Sequence, residues 1–153
     1  MTRDRNTREP SLQERALKLL ARREHTRREL GRKLAAHAED PAELEQVLDG
    51  LEARGWLSES RVAEQLIHAR RRRFGARRIE HELRERGVSE EAVAAALPEL
   101  REGELEAARV VWHRKFARQP KGRAERARQV RFLQGRGFDL EVIFKVIKGR
   151  DEG

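Results

Sequence analysis

Four consecutive arginines, Arg70-Arg71-Arg72-Arg73, stand immediately before Phe74-Gly75-Ala76-Arg77-Arg78. A second cluster, Arg114, Lys115, Arg118, Lys121, Arg123, Arg126, Arg128 and Arg131, runs through a turn at Pro120–Gly122. A guanidinium is a planar fork that donates two parallel hydrogen bonds to phosphate or carboxylate, so this residue type at this density points to anion recognition. Contacts of this kind with phosphate give affinity and salt dependence without sequence specificity. Four successive arginines cover every side of a helix, so they cannot all serve one salt-bridged seam. The competing structural account is that cations at a helix C-terminus gain from the macrodipole.

Other chemistry is absent by pattern. The five histidines, His25, His37, His68, His81 and His113, lie apart, and none stands in an H-E-x-x-H arrangement. His81-Glu82 is followed by Leu83, Arg84 and Glu85, so a second ligand is missing. No P-loop occurs, and Gly135-Arg136-Gly137 lacks the third glycine and the preceding strand of a dinucleotide fingerprint. With no cysteine, disulfides, thiolate catalysis and Cys-based zinc sites are excluded. The acidic residues read as helix-surface charge. A non-enzyme without metal or cofactor is expected.

The chain has 153 residues, 37% hydrophobic and 41% charged, against typical values of about 45–50% and 25%. That polarity fits either disorder or helices with thin apolar stripes. The net charge is +8, and the charge alternates along the chain. Residues 3–33 carry +6, 39–59 carry −6, 61–78 carry +6 and 80–106 carry −6. Residues 107–150 hold 13 basic and 3 acidic groups, a net +10 that pairing within the segment cannot neutralise. A basic surface of this kind faces a polyanion. For the earlier blocks, pairing of opposite charges between helices is an equal account. No apolar run approaches the ~20 residues that span a bilayer, and no signal-peptide pattern opens the chain; a cytoplasmic protein is expected.

Helix signals recur throughout. Thr26 with Glu29 makes a capping box before Leu30 and Leu34. Asp40, Pro41 and Glu43 read as an N-cap, a first-turn proline and a second box, after which Leu44, Val47, Leu48 and Leu51 form one face. Gly55 is placed to end that helix, and Ser58 to start the next, whose face is Val62, Ala63, Leu66 and Ile67. The end of the helix near Pro98 is left open by its proline. The segment Leu83-Arg84-Glu85-Arg86-Gly87-Val88-Ser89, with Val93, Ala96 and Leu97, returns fifty residues later as Leu133 to Asp139 with Ile143, Val146 and Ile147. A third copy begins at Leu34 through a different turn. Leading helices are expected around Ala16–Leu20, Val62–Ile67 and Ala107–Trp112.

The expected fold is therefore all-α: three tandem three-helix repeats in an elongated, curved, solenoid-like chain. The expected boundaries are 1–10 for a disordered basic arm, 11–57, 58–101 and 102–149 for the repeats, the last most basic, with a frayed tail at 150–153. The aromatics Trp56, Phe74, Trp112, Phe116, Phe132, Phe138 and Phe144 are expected to pack in the core or at repeat junctions, base stacking on Phe74 or Trp56 being the lesser alternative.

Three stretches in this order resemble the bacterial RecX family, modulators of the RecA recombinase. They are Ala16-Leu17-Lys18-Leu19-Leu20-Ala21-Arg22-Arg23-Glu24-His25-Thr26 running on to Lys33-Leu34, Gly55-Trp56-Leu57-Ser58-Glu59-Ser60-Arg61-Val62-Ala63, and Phe74-Gly75-Ala76-Arg77-Arg78-Ile79-Glu80-His81-Glu82-Leu83. Arg86-Gly87-Val88 ends the third, and Arg131-Phe132-Leu133 with Arg136-Gly137-Phe138 echoes it. The family often has Asp or Asn followed by Asp at Ser58-Glu59, and an aromatic at Val62. The resemblance covers about residues 12–148. It implies a helical, non-catalytic, three-repeat regulator in homologous recombination, DNA repair and the SOS response. It also implies binding in the groove of the RecA–DNA filament, with inhibition of ATPase, strand exchange and coprotease activity. The partners expected are the RecA filament and DNA, single-stranded or double-stranded, without sequence preference; a monomer without membrane contact is expected. The competing reading is a stand-alone DNA-binding regulator, in which the turns at Gly87-Val88-Ser89 and Gly137-Phe138-Asp139 serve as helix-turn-helix turns.

Overall fold

The computed structural model describes residues 8–148. Most of the expected basic arm and all of the expected tail lie outside the described residues; Arg8 to Pro10 are exposed and irregular. Nine α-helices and one short 3₁₀ turn account for the regular structure among the described residues, without a strand. The chain divides into two compact units, one ending at Val62 and one beginning at Ala63.

In the first unit, α1 (Leu12–Arg22) opens on a capping box in which Ser11 and Glu14 satisfy each other's backbone N–H groups. α2 (Arg27–Leu34) opens on the expected Thr26–Glu29 box. The 3₁₀ turn Ala35–His37 makes the divergent connection, and α3 (Pro41–Ala53) starts at Asp40, whose carboxylate accepts from Ala42 N–H at 2.7 Å. Glu43 does not complete the second box, because its carboxylate accepts from Glu39 N–H instead. Leu12, Ala16, Leu30, Leu34, Leu48, Leu51 and Leu57 close the core, each buried leucine worth about 1.5–3 kcal/mol of transfer. His25 is 1% exposed beside it. Its Nδ1 faces the Arg23 carbonyl at 3.0 Å and its Nε2 the Lys33 ammonium at 2.9 Å. Lys33 can only donate, so the ring is neutral with its proton on Nδ1. Burial pushes its pKa below the ordinary histidine value.

α4 (Glu59–Arg70) begins where Ser58 accepts from Arg61 N–H at 3.2 Å. The second unit continues with α5 (Ala76–Arg86), α6 (Glu90–Glu102), α7 (Glu104–Lys115), α8 (Gly122–Gly135) and α9 (Leu140–Lys148). The fifty-residue repeat reappears as one turn made twice. Gly87 and Gly137 adopt left-handed φ of 102° and 91°, and the next N–H, from Val88 and Phe138, donates back to Leu83 and Leu133 at 3.0 and 3.2 Å. This geometry satisfies helix-end carbonyls and drives the following apolar side chain inward; Val88 and Phe138 are both buried. α6 runs through Pro98 to Glu102 rather than ending there. Ala94 and Pro98 both face solvent, so the carbonyl that loses its N–H partner is open to water.

Inside the second unit, the α4–α5 loop and the α8–α9 turn interlock through backbone. Gly75 N–H donates to the Arg136 carbonyl at 2.8 Å and Arg77 N–H to Gly137 at 3.1 Å. A Cβ on Gly75 would overlap the Gly137 peptide, and one on Gly137 would overlap Arg78. Glu104, 5% exposed, accepts from Ala76 N–H at 3.0 Å at the start of α5, with Asp139, just before α9, close by. Burial raises its pKa above the usual carboxylate value.

Candidate nucleic-acid interface

Pairing separates the expected basic residues into two groups. Arg70 meets Glu82 at 3.2 Å, Arg71 meets Glu99 at 3.7 Å and Arg77 meets Asp139 at 2.7 Å. Arg78 lies over the Phe74 ring at 4.4 Å and reaches the Gly135 carbonyl at 3.5 Å. These four are held by the protein. Among the described residues, Arg72, Arg73, Arg114, Lys115, Arg118, Lys121, Arg123, Arg126, Arg128 and Arg131 make no ion pair, and all ten are exposed. In the first unit Lys18, Arg22, Arg32 and Arg54 are likewise exposed without an ion pair, while Arg23, Arg27 and Arg61 are paired. Arg27 of α2 gathers Glu45, Asp49 and Glu52 of α3 at 2.6, 2.8 and 2.8 Å, and its charge is held still more firmly by those hydrogen bonds, Glu52's foremost.

The run Arg70–Arg73 does not wrap a helix, as its sequence suggests. α4 ends at Arg70, and Arg71 to Arg73 form a turn, closed by Arg73 N–H and Phe74 N–H donating to the Arg70 carbonyl at 2.9 and 3.0 Å. The turn carries Arg71, Arg72 and Arg73 to one side of a groove of about 920 Å³, where Arg114 of α7 joins them, with His68 and Val110. Arg118, Lys121 and Arg128 gather around a smaller depression of about 270 Å³ over Phe116 and Gln129. Gln129, 5% exposed, holds that region together: its Oε1 accepts from Trp112 Nε1 at 2.8 Å and its Nε2 donates to the Arg118 carbonyl at 3.1 Å.

The first seven residues of α8 are all exposed. At roughly 100° per residue, Arg131 falls opposite buried Gln129 and Leu133 and Arg123 and Arg128 on the two flanks, while Arg126 continues the Gln129–Leu133 stripe into the exposed first turns and lies over Phe144 at 5.4 Å. Cations at a helix N-terminus oppose the macrodipole by about 0.3–1 kcal/mol. Lys121 and Arg123 occupy that end of α8, where helix stability disfavours them. Arg114 and Lys115 end α7, where the dipole favours them.

Only Phe138 of the aromatics is fully buried; Trp112 and Phe132 pack partly buried against the same core, Phe116 meets Phe132 edge-on, and Trp56, Phe74, Phe132 and Phe144 carry cations over their rings. The Phe74 ring receives Arg70, Arg78 and Arg136 at 5.9, 4.4 and 5.4 Å, and Phe132 receives Lys115 and Arg136 at 5.3 and 5.2 Å. Arg136 thus lies between two rings and donates to the Arg73 carbonyl at 3.3 Å. Phe74 is engaged on these guanidiniums, and Trp56, 39% exposed, lies under Arg54 at 5.7 Å. The sequence reading missed Arg136, Gln129 and Glu104. Arg136 had a signal in the repeated Arg-Gly-apolar turn; a buried Gln or Glu on an otherwise polar helix had none.

The descriptions of the first, second and third three-helix domains of RecX match residues 14–51, 58–97 and 102–147. Regulatory protein RecX of Leptothrix cholodnii is 51% identical over 92% of this chain and 90% of its own length. That of Ralstonia nicotianae is 46% identical over 92% and 89%. The crystal structure of RecX from Lactobacillus salivarius has the same fold, with a TM-score of 0.77 at 16% identity, covering 90% of this chain and 92% of that one. With three consecutive domain matches and close relatives along nearly its whole length, the chain belongs to the RecX family of regulatory proteins.

Proposed function

We propose that this chain, as a monomer in the cytoplasm, binds the groove of the RecA–DNA filament and inhibits its ATPase, strand exchange and coprotease activity. The observation that carries this reading is the set of ten exposed cations without ion pairs, concentrated on α7, α8 and their connection. A polyanion supplies the counter-charge that the fold itself withholds. With repeats taken at 11–57, 58–101 and 102–149, Arg70, Arg71, Arg77 and Arg78 shape the surface from which Arg72, Arg73 and the third-repeat cations reach DNA. A ligand of this kind inhibits by favouring one filament state over another.

The stand-alone regulator reading is weaker on two counts. The helix after Gly87 exposes mainly Glu90, Glu91 and Glu99, with Arg101 only near its far end, and the helix after Gly137 exposes Leu140, Glu141 and Phe144, with Lys145 and Lys148 in its last turns. Neither presents the Arg, Asn or Gln face that reads bases in a major groove. The deciding measurement is RecA's single-strand-DNA-dependent ATPase rate as this protein is titrated up to equal stoichiometry. Inhibition well below one molecule per RecA is expected. Inhibition only in excess, relieved by added DNA, would reduce the protein to a competitor for DNA.

A further inference from the structure

Arg136 caps the end of α8, and both its backbone and its side chain reach the loop between α4 and α5. Its carbonyl accepts from Gly75 N–H at 2.8 Å, and its Nη1 donates to the Arg73 carbonyl at 3.3 Å. One residue thus grips both ends of Arg73-Phe74-Gly75. Its guanidinium has no ion pair among the described residues. Two rings hold it instead, Phe74 at 5.4 Å and Phe132 at 5.2 Å, and Phe132 is braced edge-on by Phe116. A planar cation suits that place better than the point charge of an ammonium. The segment so gripped ends the arginine turn. Arg72 and Arg73 are exposed without ion pairs, so no carboxylate orders them. The turn's own hydrogen bonds use the Arg70 carbonyl and leave that of Arg73 to Arg136. Arg114 of α7 lines the same groove as the turn.

We infer that Arg136 is a positioning residue for DNA binding: stacked on Phe74 and Phe132, it holds the arginine turn so that Arg72 and Arg73 meet the phosphates already ordered alongside Arg114. Arg136 acts through the turn and does not touch the strand. A loop fixed before the encounter spares binding the cost of ordering it. The clasp also ties the second-repeat cations to the third repeat, because its grip on the turn comes from the end of α8. The inference rests on the DNA contact proposed above.

The test is a double-mutant cycle on a labelled single-stranded oligonucleotide, using Arg136→Lys, the pair Arg72→Gln with Arg73→Gln, and all three together. Arg136→Lys keeps the net charge. It is expected to weaken binding by about 5-fold alone, and by less than about 2-fold once Arg72 and Arg73 are Gln. Nitrogen-15 relaxation reads the turn directly. Its amides are expected to have order parameters near ~0.85 in wild type and below ~0.6 in Arg136→Lys. Unchanged affinity in Arg136→Lys overturns the inference, because the clasp then serves folding alone. A loss that persists when Arg72 and Arg73 are Gln overturns it too, because Arg136 then touches the strand itself. Should Arg136→Lys not fold, Phe74→Leu removes one ring, keeps the arginine and runs through the same cycle. In wild type alone, turn amides below ~0.6 also overturn the inference. Wild type without affinity for the oligonucleotide refutes the DNA contact itself, whatever the state of the turn, and the inference falls with it.

Discussion

Replacing Arg123, Arg128 and Arg131 together with Gln isolates the cations that the fold leaves without partners. They are exposed on α8 and make no ion pair among the described residues, so no structural contact is lost. Exposed substitutions of this kind change stability by no more than about 0.5 kcal/mol each. Removing Arg123 from the helix N-terminus also relieves an unfavourable dipole interaction. For single-stranded DNA, each phosphate neutralised contributes about 0.7 to the slope of log K against log salt. Loss of three contacts lowers the slope magnitude by about 2, so between 50 and 200 mM salt the triple variant loses about 16-fold less affinity than wild type over the same range. The matched control is Arg70→Gln with Arg77→Gln, residues already engaged by Glu82 and Asp139 at 3.2 and 2.7 Å. The control keeps the wild-type slope and costs about 0–1 kcal/mol per pair. Fluorescence anisotropy of a labelled oligonucleotide from 50 to 400 mM salt reads both. An unchanged slope in the triple variant, or the same drop in the control, would refute the argument that pairing decides which arginines face DNA.

Three further outcomes follow from the packing. Gly137→Ala forces a left-handed residue at about 1–2 kcal/mol and drives its Cβ into Arg78, so it and Gly75→Ala lower the melting temperature sharply; Gly50→Ala, with open space around its Cβ inside α3, raises stability by about 0.5–1 kcal/mol. Chemical denaturation at stepped pH tests His25. Its folded pKa lies below the ordinary 6.5, so the unfolded chain takes up the proton first, and stability falls as pH drops from 6.5 through the folded value; His25→Gln removes that component. Glu104 has the opposite sign. Its raised folded pKa means the native state binds the proton more tightly, so its contribution grows as pH falls through that value toward 4.5, and Glu104→Gln abolishes the slope. Glu104→Ala, which strands the buried Ala76 N–H at the start of α5, costs about 1–3 kcal/mol in the same melts.

The helices were legible because their determinants are local. Thr26 and Glu29, Asp40 and Pro41, Gly55, Ser58, Gly87 and Gly137 act within one turn of themselves, and all appear at helix ends. The fifty-residue repeat was legible for a related reason: a left-handed glycine followed by an apolar residue that must turn inward leaves a fixed pattern. The end of the helix near Pro98 stayed open in the sequence because the cost of a proline depends on whether the orphaned carbonyl meets water, which only the packing decides. Glu43 shows the same limit at smaller scale, since the choice between Glu39 and Asp40 N–H is set by the path of the entering chain.

The arginines mark where sequence reading stops. Arg70, Arg77 and Arg123 are chemically identical, and the block charges of the segments that hold them have the same sign. What separates them is whether a carboxylate from a distant position arrives alongside: Glu82 does for Arg70 and Asp139, sixty-two residues away, does for Arg77. Nothing arrives for Arg123, because the first half of α8 projects into solvent with no acidic helix against it. An excess of charge in a segment therefore states how many cations must go unpaired, and the fold then chooses which. In this chain the choice falls on the helix whose own dipole resists it at Lys121 and Arg123. Stability alone does not favour cations there, and an anion outside the molecule does.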